Sequence, residues 1–292
     1  MPIFPEKLPF FAPAKVNLHL AVKNRRPDGF HDIDSVFLAA NFGDTLYFDA
    51  IEGKNTIEIA MEGNNSPLPT EKNIIFKAVS LFREKIGFTQ GLKITMEKRI
   101  PMGGGLGGGS SDAATTLLAL NKIANSPCHR EILLEMATFL GSDVPFFIYQ
   151  TPAARVTGRG ERILPIDAPE MPLVLVSPGF SSDTSAAYKL LDENRTSTQP
   201  NDDISEILKE GIFDEKAYSH FTNDFLSVFP EPEKSVYNEI IAKLQELGAQ
   251  YANLSGSGSA CFGVFADREL AQKAADALRG KWGFVQNCCT FR

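Results

Sequence analysis

Hydrophobic and polar positions alternate along several short stretches of this chain, and that period predicts β-strands with one buried face. The clearest case is 15–23, where Val16 and every second residue after it are aliphatic. Lys15 and Asn17 then lie on the opposite face, about 7 Å apart on strand geometry. Related apolar or alternating patterns predict strands at 33–42, 45–51, 56–61, 92–96, 173–176, 251–254, 261–265 and 284–289.

Apolar residues spaced three or four apart predict helices between these strands. One spans 71–86, and another, 130–140, is expected to end at Gly141. The remaining helices are predicted at 184–191, 215–228, 232–247 and 268–278. In the second half of the chain the order of strands and main helices is β-α-β-β-α-β, which is the ferredoxin-like pattern.

Turn residues indicate where these elements are connected. The stretch 25–29, Arg-Arg-Pro-Asp-Gly, predicts a turn. Asp143 is predicted to lie in a tight turn that leads into an apolar strand. Three prolines between 165 and 172 indicate a linker, and the polar segment 194–203 is predicted to be a mobile loop.

The stretch 101–114, Pro-Met-Gly-Gly-Gly-Leu-Gly-Gly-Gly-Ser-Ser-Asp-Ala-Ala, contains six glycines among the seven residues from Gly103 to Gly109. Such density suits a backbone that adopts left-handed conformations or lets a ligand approach its N–H groups. The loop leads into an apolar helical pattern, whose start Ser110 or Ser111 is expected to cap. A glycine-rich loop before a helix N-terminus is typical of an anion site, so we interpret it as a phosphate cradle.

Other kinds of glycine loop fit this stretch less well. A flexible linker is not normally bounded by Ile-Pro and an apolar helix. The loop lacks the Gly-Lys-Ser/Thr ending of a P-loop, and no ribose-binding carboxylate follows about 20 residues on, as a dinucleotide fold needs. Asp112 stays ambiguous: it suits the helix dipole, but it would repel a phosphate unless it points away or faces a metal.

Length and composition narrow the class of protein. With 292 residues the chain is long for one core, so two domains are expected. Its formal net charge of −7 argues against a general nucleic-acid binder. No apolar stretch approaches the roughly 20 residues of a membrane span, and no signal peptide is expected. The four cysteines show no metal or redox spacing, which predicts free thiols and a cytoplasmic location, and the four scattered histidines predict no metal cluster.

Several motifs together resemble those of the kinase superfamily that includes galactokinase, homoserine kinase and mevalonate kinase. The loop 101–114 is similar to the signature loop of that superfamily. Two further blocks, 13–17 (Pro-Ala-Lys-Val-Asn) and 25–36 (Arg-Arg-Pro-Asp-Gly-Phe-His-Asp-Ile-Asp-Ser-Val), together with the Ser-Asp-Val-Pro turn at 142–145, narrow the resemblance to the 4-diphosphocytidyl-2-C-methyl-D-erythritol kinases. Similar segments cover nearly the whole chain, and the others are 42–45, 140–147, 157–161 and 254–258.

The resemblance implies an α+β, two-domain small-molecule kinase fold. The N-terminal ATP-binding domain, expected over 1–165, would be an α/β domain like domain 2 of ribosomal protein S5. The C-terminal domain, expected over 166–292, would be ferredoxin-like. The family uses ATP to phosphorylate the 2-hydroxyl group of its substrate in the non-mevalonate route to isoprenoid precursors, at a cleft between the domains.

The same resemblance implies the ligands and partners. They are ATP, Mg²⁺ bridging the ATP oxygens with Ser110 or Ser111 nearby, and a small-molecule cytidine diphosphate alcohol. Neither nucleic acid nor membrane is expected as a partner. The chain is expected to be a monomer or a homodimer.

Residue roles follow from the motifs that match. Asp143 resembles the catalytic base, which accepts the proton of the attacking hydroxyl group, and Lys15 resembles its partner. Asn17 corresponds to a substrate contact. Phe30 lies where the family usually has a tyrosine that stacks on cytosine, and His31 corresponds to the residue that bonds the cytosine edge.

Further contacts are implied for both ligands. Tyr188, shortly after Thr184, corresponds to the second face of a cytosine sandwich. Gly256 belongs to a second Ser/Gly loop, 255–259 (Ser-Gly-Ser-Gly-Ser), which is either a hairpin turn or a segment whose N–H groups close over the phosphate end of the substrate. Adenosine contacts are implied at Asn73 and Lys98. Contacts with the rest of ATP are implied along the glycine loop, at Pro101, Met102, Gly103, Gly104, Gly105, Leu106, Gly107, Gly108, Gly109, Ser110 and Ser111.

Two other functions stay open. One is a sister kinase of the same fold that acts on homoserine or a mevalonate-type acid. Such a kinase needs no aromatic sandwich, so a binding assay that compares CDP with mevalonate distinguishes the two functions. A nucleotide-binding regulator without catalysis is disfavoured by the presence of both Lys15 and Asp143. Taken without the resemblance, Asp143 is an ordinary turn residue, Lys15 and Arg159 are surface charges, and Phe30 is an aromatic ring packed under a turn.

Overall fold

The structure, a computed structural model, describes residues 7–62, 73–194, 204–210 and 213–291. The chain divides into two compact units that interleave along the sequence. Unit one consists of Met1–Ala14, Gly43–Ile100 and Gly107–Gln150. Unit two consists of Lys15–Phe42, Pro101–Leu106 and Thr151–Arg292. The predicted boundary at 165 stays a prediction, and most of the predicted mobile loop, 195–203, lies outside the described residues.

Two long strands, β1 (Leu8–Arg25) and β2 (His31–Ile51), pair with each other and contribute to both units. The turn predicted between them is present, and the N–H of Arg26 donates to the carbonyl of Phe30 at 2.7 Å. The strands predicted at 33–42 and 45–51 are one continuous strand. Gly43 lets this strand pass close to β1, because a Cβ at position 43 would lie 2.2 Å from the carbonyl oxygen of Ala12.

Among its described residues, unit one combines four strand segments, the first of them the start of β1, with four helices. The second half of β2 pairs antiparallel with β4 (Gly91–Glu97), which pairs parallel with β3 (Ile57–Met61). The helices pack on one another, and they are α1 (Ile74–Ile86), α2 (Gly108–Ile123), α3 (Arg130–Leu140) and α4 (Val144–Tyr149). The predicted helix 71–86 is α1, although 71–72 lie outside the described residues.

Helix α4 corrects the prediction of an apolar strand after Asp143. The segment packs against α2 and α3, so nearly all of its side chains are buried. A short apolar run buried on all sides has no period that separates strand from helix. Pro145 lies in the first turn, where its missing N–H costs no hydrogen bond. Asp143 therefore occupies the N-cap position of a helix.

Unit two contains the first half of β2, which pairs antiparallel with β5 (Ala153–Gly158), and β5 pairs with β6 (Arg162–Pro165). Its second sheet is antiparallel, with the order β10-β7-β9-β8. These strands are β7 (Pro172–Ser177), β8 (Tyr251–Leu254), β9 (Cys261–Val264) and β10 (Phe284–Cys289). With α9 (Glu233–Glu246) and α10 (Arg268–Leu278), they confirm the predicted ferredoxin-like arrangement.

The other helices of unit two lie between β7 and α9. They are α5 (Thr184–Asn194), α6 (Ser205–Glu210), α7 (Glu215–Tyr218) and α8 (Asp224–Val228). The single helix predicted over 215–228 is wrong, because a turn follows α7 and the carbonyl of Thr222 then accepts from the N–H of Leu20 at 2.7 Å. None of the helices in the described part of the chain has the length and apolar character that a membrane span requires.

Candidate active site

Lys15 and Asn17 lie side by side on β1, as the alternation predicts. The ammonium group of Lys15 donates to Oδ1 of Asn17 at 2.5 Å, and Nδ2 of Asn17 donates to the hydroxyl oxygen of Ser35 at 3.0 Å. The Ser35 hydroxyl in turn donates to the carbonyl oxygen of His19. Lys15 is only 3% exposed, and a buried ammonium group needs such partners to offset its lost hydration. The chain of hydrogen bonds therefore fixes where the positive charge lies.

The first part of the glycine loop, 101–106, packs against the second Ser/Gly loop. The carbonyl oxygens of the first three glycines accept hydrogen bonds from this second loop, with Gly103 accepting from Ser259 N at 3.3 Å and Gly104 from Ala260 N at 3.0 Å. Gly105 has φ +71°, and a Cβ there would lie 2.1 Å from the carbonyl oxygen of Ser255. Only glycine fits this approach, so the two loops form one layer of backbone within unit two.

The backbone N–H groups from Gly103 to Ser110 find no hydrogen-bond acceptor in the described part of the chain. Polar backbone groups rarely stay unpaired unless water or a ligand satisfies them. Met102, beside these groups, is 77% exposed. The backbone N–H of Lys15 donates to the carbonyl oxygen of Leu106 at 2.9 Å, and this hydrogen bond ties the loop to β1. The loop thus presents a row of donors, as an anion site requires.

The start of α2 differs from the prediction of a serine cap. Gly107, in the left-handed conformation with φ 71°, is the N-cap residue, and no side chain caps the helix. Ser110 and Ser111 lie one turn later, because the glycines continue into the helix. The uncapped first turn leaves its N–H groups available to an anion. The buried Oγ of Ser111 also has no hydrogen-bond partner among the described residues.

A buried ion cluster lies beside the first turn of α2 in unit one. The ammonium group of Lys98 is 2.5 Å from Oδ2 of Asp44 and 3.1 Å from Oδ2 of Asp112. Asp112 therefore faces a lysine, which resolves its ambiguity in the sequence. Burial raises the pKa of Asp112 to about 7, because Lys98 offsets only part of the cost of removing the carboxylate from water. The adenosine contact of Lys98 stays a prediction.

Asp44 fixes the chain that enters the glycine loop. Its Oδ1 accepts from the N–H groups of Arg99 and Ile100 at 2.6 and 2.8 Å, and the residue is fully buried. The sequence analysis assigned no role to this residue. An aspartate inside an apolar strand, as in Phe-Gly-Asp-Thr at 42–45, was the signal that could have identified it. A buried carboxylate there needs several hydrogen-bond donors.

Asn73 and Asp143 both lie at helix starts in unit one. Oδ1 of Asn73 accepts from the N–H of Ile75 at 2.9 Å and caps α1. Asp143 is half-buried at the start of α4. Lys15 belongs to unit two, so the pairing of Asp143 with Lys15 stays a prediction.

The aromatic residues expected at the cytosine end are in unit two. The ring of Tyr188 stacks on His31, with centroids 5.0 Å apart and planes at 17°, and it makes a T-shaped contact with Phe225. Nε2 of His31 lies 2.7 Å from Oδ1 of Asp192. The structure therefore gives Tyr188 a histidine as its stacking partner, a contact the sequence analysis did not anticipate.

Phe30 presents its ring at the surface. It is 47% exposed, and the guanidinium carbon of Arg159 lies 4.9 Å from the ring centroid. A cation over an aromatic face is attracted by the ring quadrupole. Arg159 therefore contacts the residue predicted to stack on cytosine.

The remaining predicted substrate residues surround the second Ser/Gly loop. The hydroxyl oxygens of Thr184 and Ser257 are 2.9 Å apart. Gly256 has φ +57°, and its carbonyl oxygen accepts from Nδ2 of Asn223 at 2.9 Å. Asn223 also donates to the carbonyl of Leu254 at 2.8 Å. Sequence reasoning missed Asn223, although an asparagine directly before a helix is a known cap signal and Oδ1 of Asn223 does cap α8.

Proteins with similar sequences are kinases. A protein of Thermodesulfovibrio yellowstonii named 4-diphosphocytidyl-2-C-methyl-D-erythritol kinase is 37% identical over 279 residues, which cover 92% of this chain and 93% of that protein. One of the same name from Syntrophotalea carbinolica is 37% identical over 276 residues, covering 94% and 95%. A chloroplastic one from Oryza sativa subsp. japonica is 36% identical over 262 residues, covering 88% of this chain and 64% of that protein.

Family profiles and solved structures agree with these relatives. The profile of the GHMP kinases N terminal domain matches residues 73–151, and that of the GHMP kinases C terminal domain matches 216–283. The crystal structure of a 4-(cytidine 5'-diphospho)-2C-methyl-D-erythritol kinase is 34% identical, covers 97% of this chain and 98% of its own, and has a TM-score of 0.77. Methanococcus jannaschii mevalonate kinase, at 14% identity and a TM-score of 0.75, covers 98% of this chain and 99% of its own and shares the fold.

Proposed function

Because the chain belongs to the 4-diphosphocytidyl-2-C-methyl-D-erythritol kinase family, we propose that it transfers the γ-phosphoryl group of ATP to the 2-hydroxyl group of 4-diphosphocytidyl-2-C-methyl-D-erythritol. The chain is an ATP-dependent small-molecule kinase. The observation that carries the proposal is the row of unpaired backbone donors from Gly103 to Ser110, which continues into an uncapped helix. Phosphates bind such a row through N–H groups and the helix dipole.

The glycine loop binds the phosphates of ATP. Its carbonyls are engaged by the second Ser/Gly loop at Gly103 and Gly104, so its conformation is set before a nucleotide binds. Mg²⁺, when bound together with ATP, would neutralise charge on the transferring phosphoryl group. The free hydroxyl of Ser111 is a suitable oxygen for that ion or for a phosphate, and Ser110 lies in the same turn. Magnesium in such sites keeps several waters and takes few protein ligands.

Asp143 is the proposed general base. It accepts the proton of the substrate 2-hydroxyl while that oxygen forms a bond to the γ-phosphorus and ADP leaves. Lys15 is the proposed partner, whose ammonium group stabilises the negative charge of the transferring phosphoryl group. Asn17 holds that ammonium group at 2.5 Å, so it positions Lys15 as well as contacting the substrate.

The cytosine end of the substrate binds in unit two. Phe30 stacks on the base, since its ring is exposed and supported by Arg159. His31 hydrogen-bonds the base edge, and Tyr188 contributes an aromatic face. Thr184 and Gly256 contact the polar part of the substrate near Ser257. The proposal also includes a cytoplasmic monomer or homodimer that binds no nucleic acid, which the net charge of −7 and the four free cysteines support.

A coupled ADP-release assay across candidate alcohols tests this function. ATP and Mg²⁺ are mixed with 4-diphosphocytidyl-2-C-methyl-D-erythritol, mevalonate, homoserine or no alcohol. We expect rapid ADP release only with the cytidine substrate, and a phosphate monoester on its 2-oxygen. Turnover of mevalonate or homoserine instead would identify a sister kinase. Nucleotide binding without ADP release from any alcohol would identify a regulator.

A further inference from the structure

The ring of His31 is held by contacts on its face and on its edge. Tyr188 stacks on the face at 5.0 Å, and Asp192 near the end of α5 lies 2.7 Å from Nε2. The His31 side chain is only 5% exposed, so few other orientations are open to it. Asp192 lies outside the motifs that carry the family resemblance.

The contact with Asp192 decides which ring nitrogen carries the proton. A carboxylate only accepts hydrogen bonds, so the nitrogen beside it must be the donor. In a neutral imidazole, the other nitrogen is then an acceptor. Nδ1 of His31 has no hydrogen-bond partner among the described residues. The arrangement leaves one oriented acceptor on this ring.

Arg25 is a second partner of the Asp192 carboxylate. One of its terminal nitrogens lies 3.8 Å from Oδ2 of Asp192, opposite the oxygen that faces His31. The Asp192 carboxylate therefore faces Arg25 through one oxygen and His31 through the other, which holds it in place beside the imidazole.

Cytosine and uracil differ in what their edges offer to such an acceptor. Cytosine carries an exocyclic amino group, which donates, where uracil carries a carbonyl oxygen, which accepts. An acceptor nitrogen on the protein pairs with the amino group of cytosine. When uracil binds instead, the lone pair of that nitrogen faces the lone pairs of the uracil oxygen, and no hydrogen bond forms. Mismatched polar edges of this kind discriminate more strongly than lost apolar contacts do.

We propose that Asp192 is a positioning residue that holds His31 in its Nε2–H tautomer, so that Nδ1 accepts from the amino group of cytosine and rejects uracil. This inference rests on the proposed function, because it assumes that a cytidine diphosphate alcohol is the substrate. Asp192 acts through His31 and does not touch the base. The specificity for the pyrimidine is therefore partly built into helix α5.

The tautomer is tested by nitrogen NMR on the protein labelled with ¹⁵N-histidine at pH 8, without ligand. The sequence has only four histidines, so a His31→Gln spectrum assigns the His31 signals by their loss. We expect a protonated Nε2 and an unprotonated Nδ1 at His31, and a mixture of tautomers in Asp192→Ala. An Nδ1–H tautomer or an imidazolium at His31 of the wild type overturns the inference, whatever the substrate is.

The specificity is tested by inhibition with CDP and UDP, competing against the cytidine substrate. We expect the wild type to prefer CDP by at least about tenfold, and Asp192→Ala to bring the ratio of the two inhibition constants close to one. Glu193→Ala is the matched control, because it removes another carboxylate of the same helix, one that lies 3.8 Å from Lys189. This control should keep the wild-type ratio.

The two proposals fail in different ways. If the wild type does not phosphorylate the cytidine substrate, the proposed function is wrong, and the NMR result still stands for the tautomer. If the wild type does phosphorylate it and Asp192→Ala keeps the wild-type CDP/UDP ratio with a native circular dichroism spectrum, the inference is wrong and the function is not. Loss of the ratio in Glu193→Ala as well would also overturn it, because the effect would then come from charge on α5.

Discussion

The ammonium group of Lys15 lies 2.5 Å from the side-chain oxygen of Asn17, and both residues are at most 3% exposed. Asn17 in turn donates to Ser35, so one amide group links a buried charge to the neighbouring strand. Removing that amide leaves the ammonium group with less support and a less defined position.

We therefore expect Asn17→Ala to lower kcat at least about tenfold and to reduce the free energy of unfolding by about 1–3 kcal/mol. Steady-state kinetics and urea unfolding measure the two effects. Ser35→Ala is the matched control, since it removes the far partner of Asn17 and should cost much less activity. Equal losses of kcat in both variants would mean that the contact with Lys15 has no special role.

Phe30→Ala tests the stacking of the base. Phe30 is exposed under Arg159, so truncation should leave stability nearly unchanged. We expect the Michaelis constant for the cytidine substrate to rise about tenfold, because base–aromatic stacking is worth about 1–3 kcal/mol, while that for ATP changes little. Phe139→Ala on α3, where the side chain is 79% exposed, is the control. A similar rise for both substrates would remove Phe30 from the cytosine site.

Asp44→Asn tests the buried cluster beside the glycine loop. The variant keeps the shape of the side chain but removes the charge that faces Lys98 at 2.5 Å. Asp112 remains as a partner of Lys98, so urea unfolding should show a loss of about 1–3 kcal/mol from the weakened hydrogen bonds. Asp276→Asn, in an exposed pair with Arg279, should cost less than about 1 kcal/mol. Equal midpoints for the two variants would contradict the structural role of Asp44.

His19 predicts a dependence of stability on pH. Burial lowers the pKa of His19 to about 4 from its ordinary 6.5, while Asp34 partly opposes the shift. As the pH falls from 6.5 towards 4, the unfolded chain takes up this proton first, so the free energy of unfolding falls by roughly 3 kcal/mol across that window. Above 6.5 the group contributes no slope.

The variant His19→Gln keeps an acceptor for the N–H of Thr222 and removes the titrating group. Urea unfolding at several pH values should show a smaller loss between pH 6.5 and 4 in this variant than in the wild type. The same loss in both proteins would show that His19 does not cause it.

Much of the fold follows from hydrophobic period alone. Helix α10 and strand β10 have the bounds that their patterns predict, because α10 has one buried face and a turn separates it from β10. The hydrophobic period does not predict the element type where nearly every side chain is buried, as in α4. It also does not predict where a helix ends when a contact distant in sequence ends it, as between α7 and α8. Gly43 looked like a break in the sequence, but in the structure it allows a close approach of β1.

The candidate site was predictable to the extent that it is local. The neighbouring positions of Lys15 and Asn17 follow from strand alternation, and the donors of the glycine loop follow from its composition. The contact of His31 with Asp192 joins residues 161 apart in sequence, and no local pattern indicates it. Asn223 is likewise bonded to a loop 33 residues away.

The proton acceptor is tested most directly by single-turnover phosphoryl transfer with the Asp143→Asn variant, with ATP binding measured in parallel. Asp267→Asn, which alters an exposed helix cap of α10, is the matched control. We predict that Asp143→Asn transfers the phosphoryl group to the cytidine substrate at least about 10²-fold more slowly than the wild type and binds ATP equally well. A near-normal rate in that variant would contradict the role of Asp143 as the base.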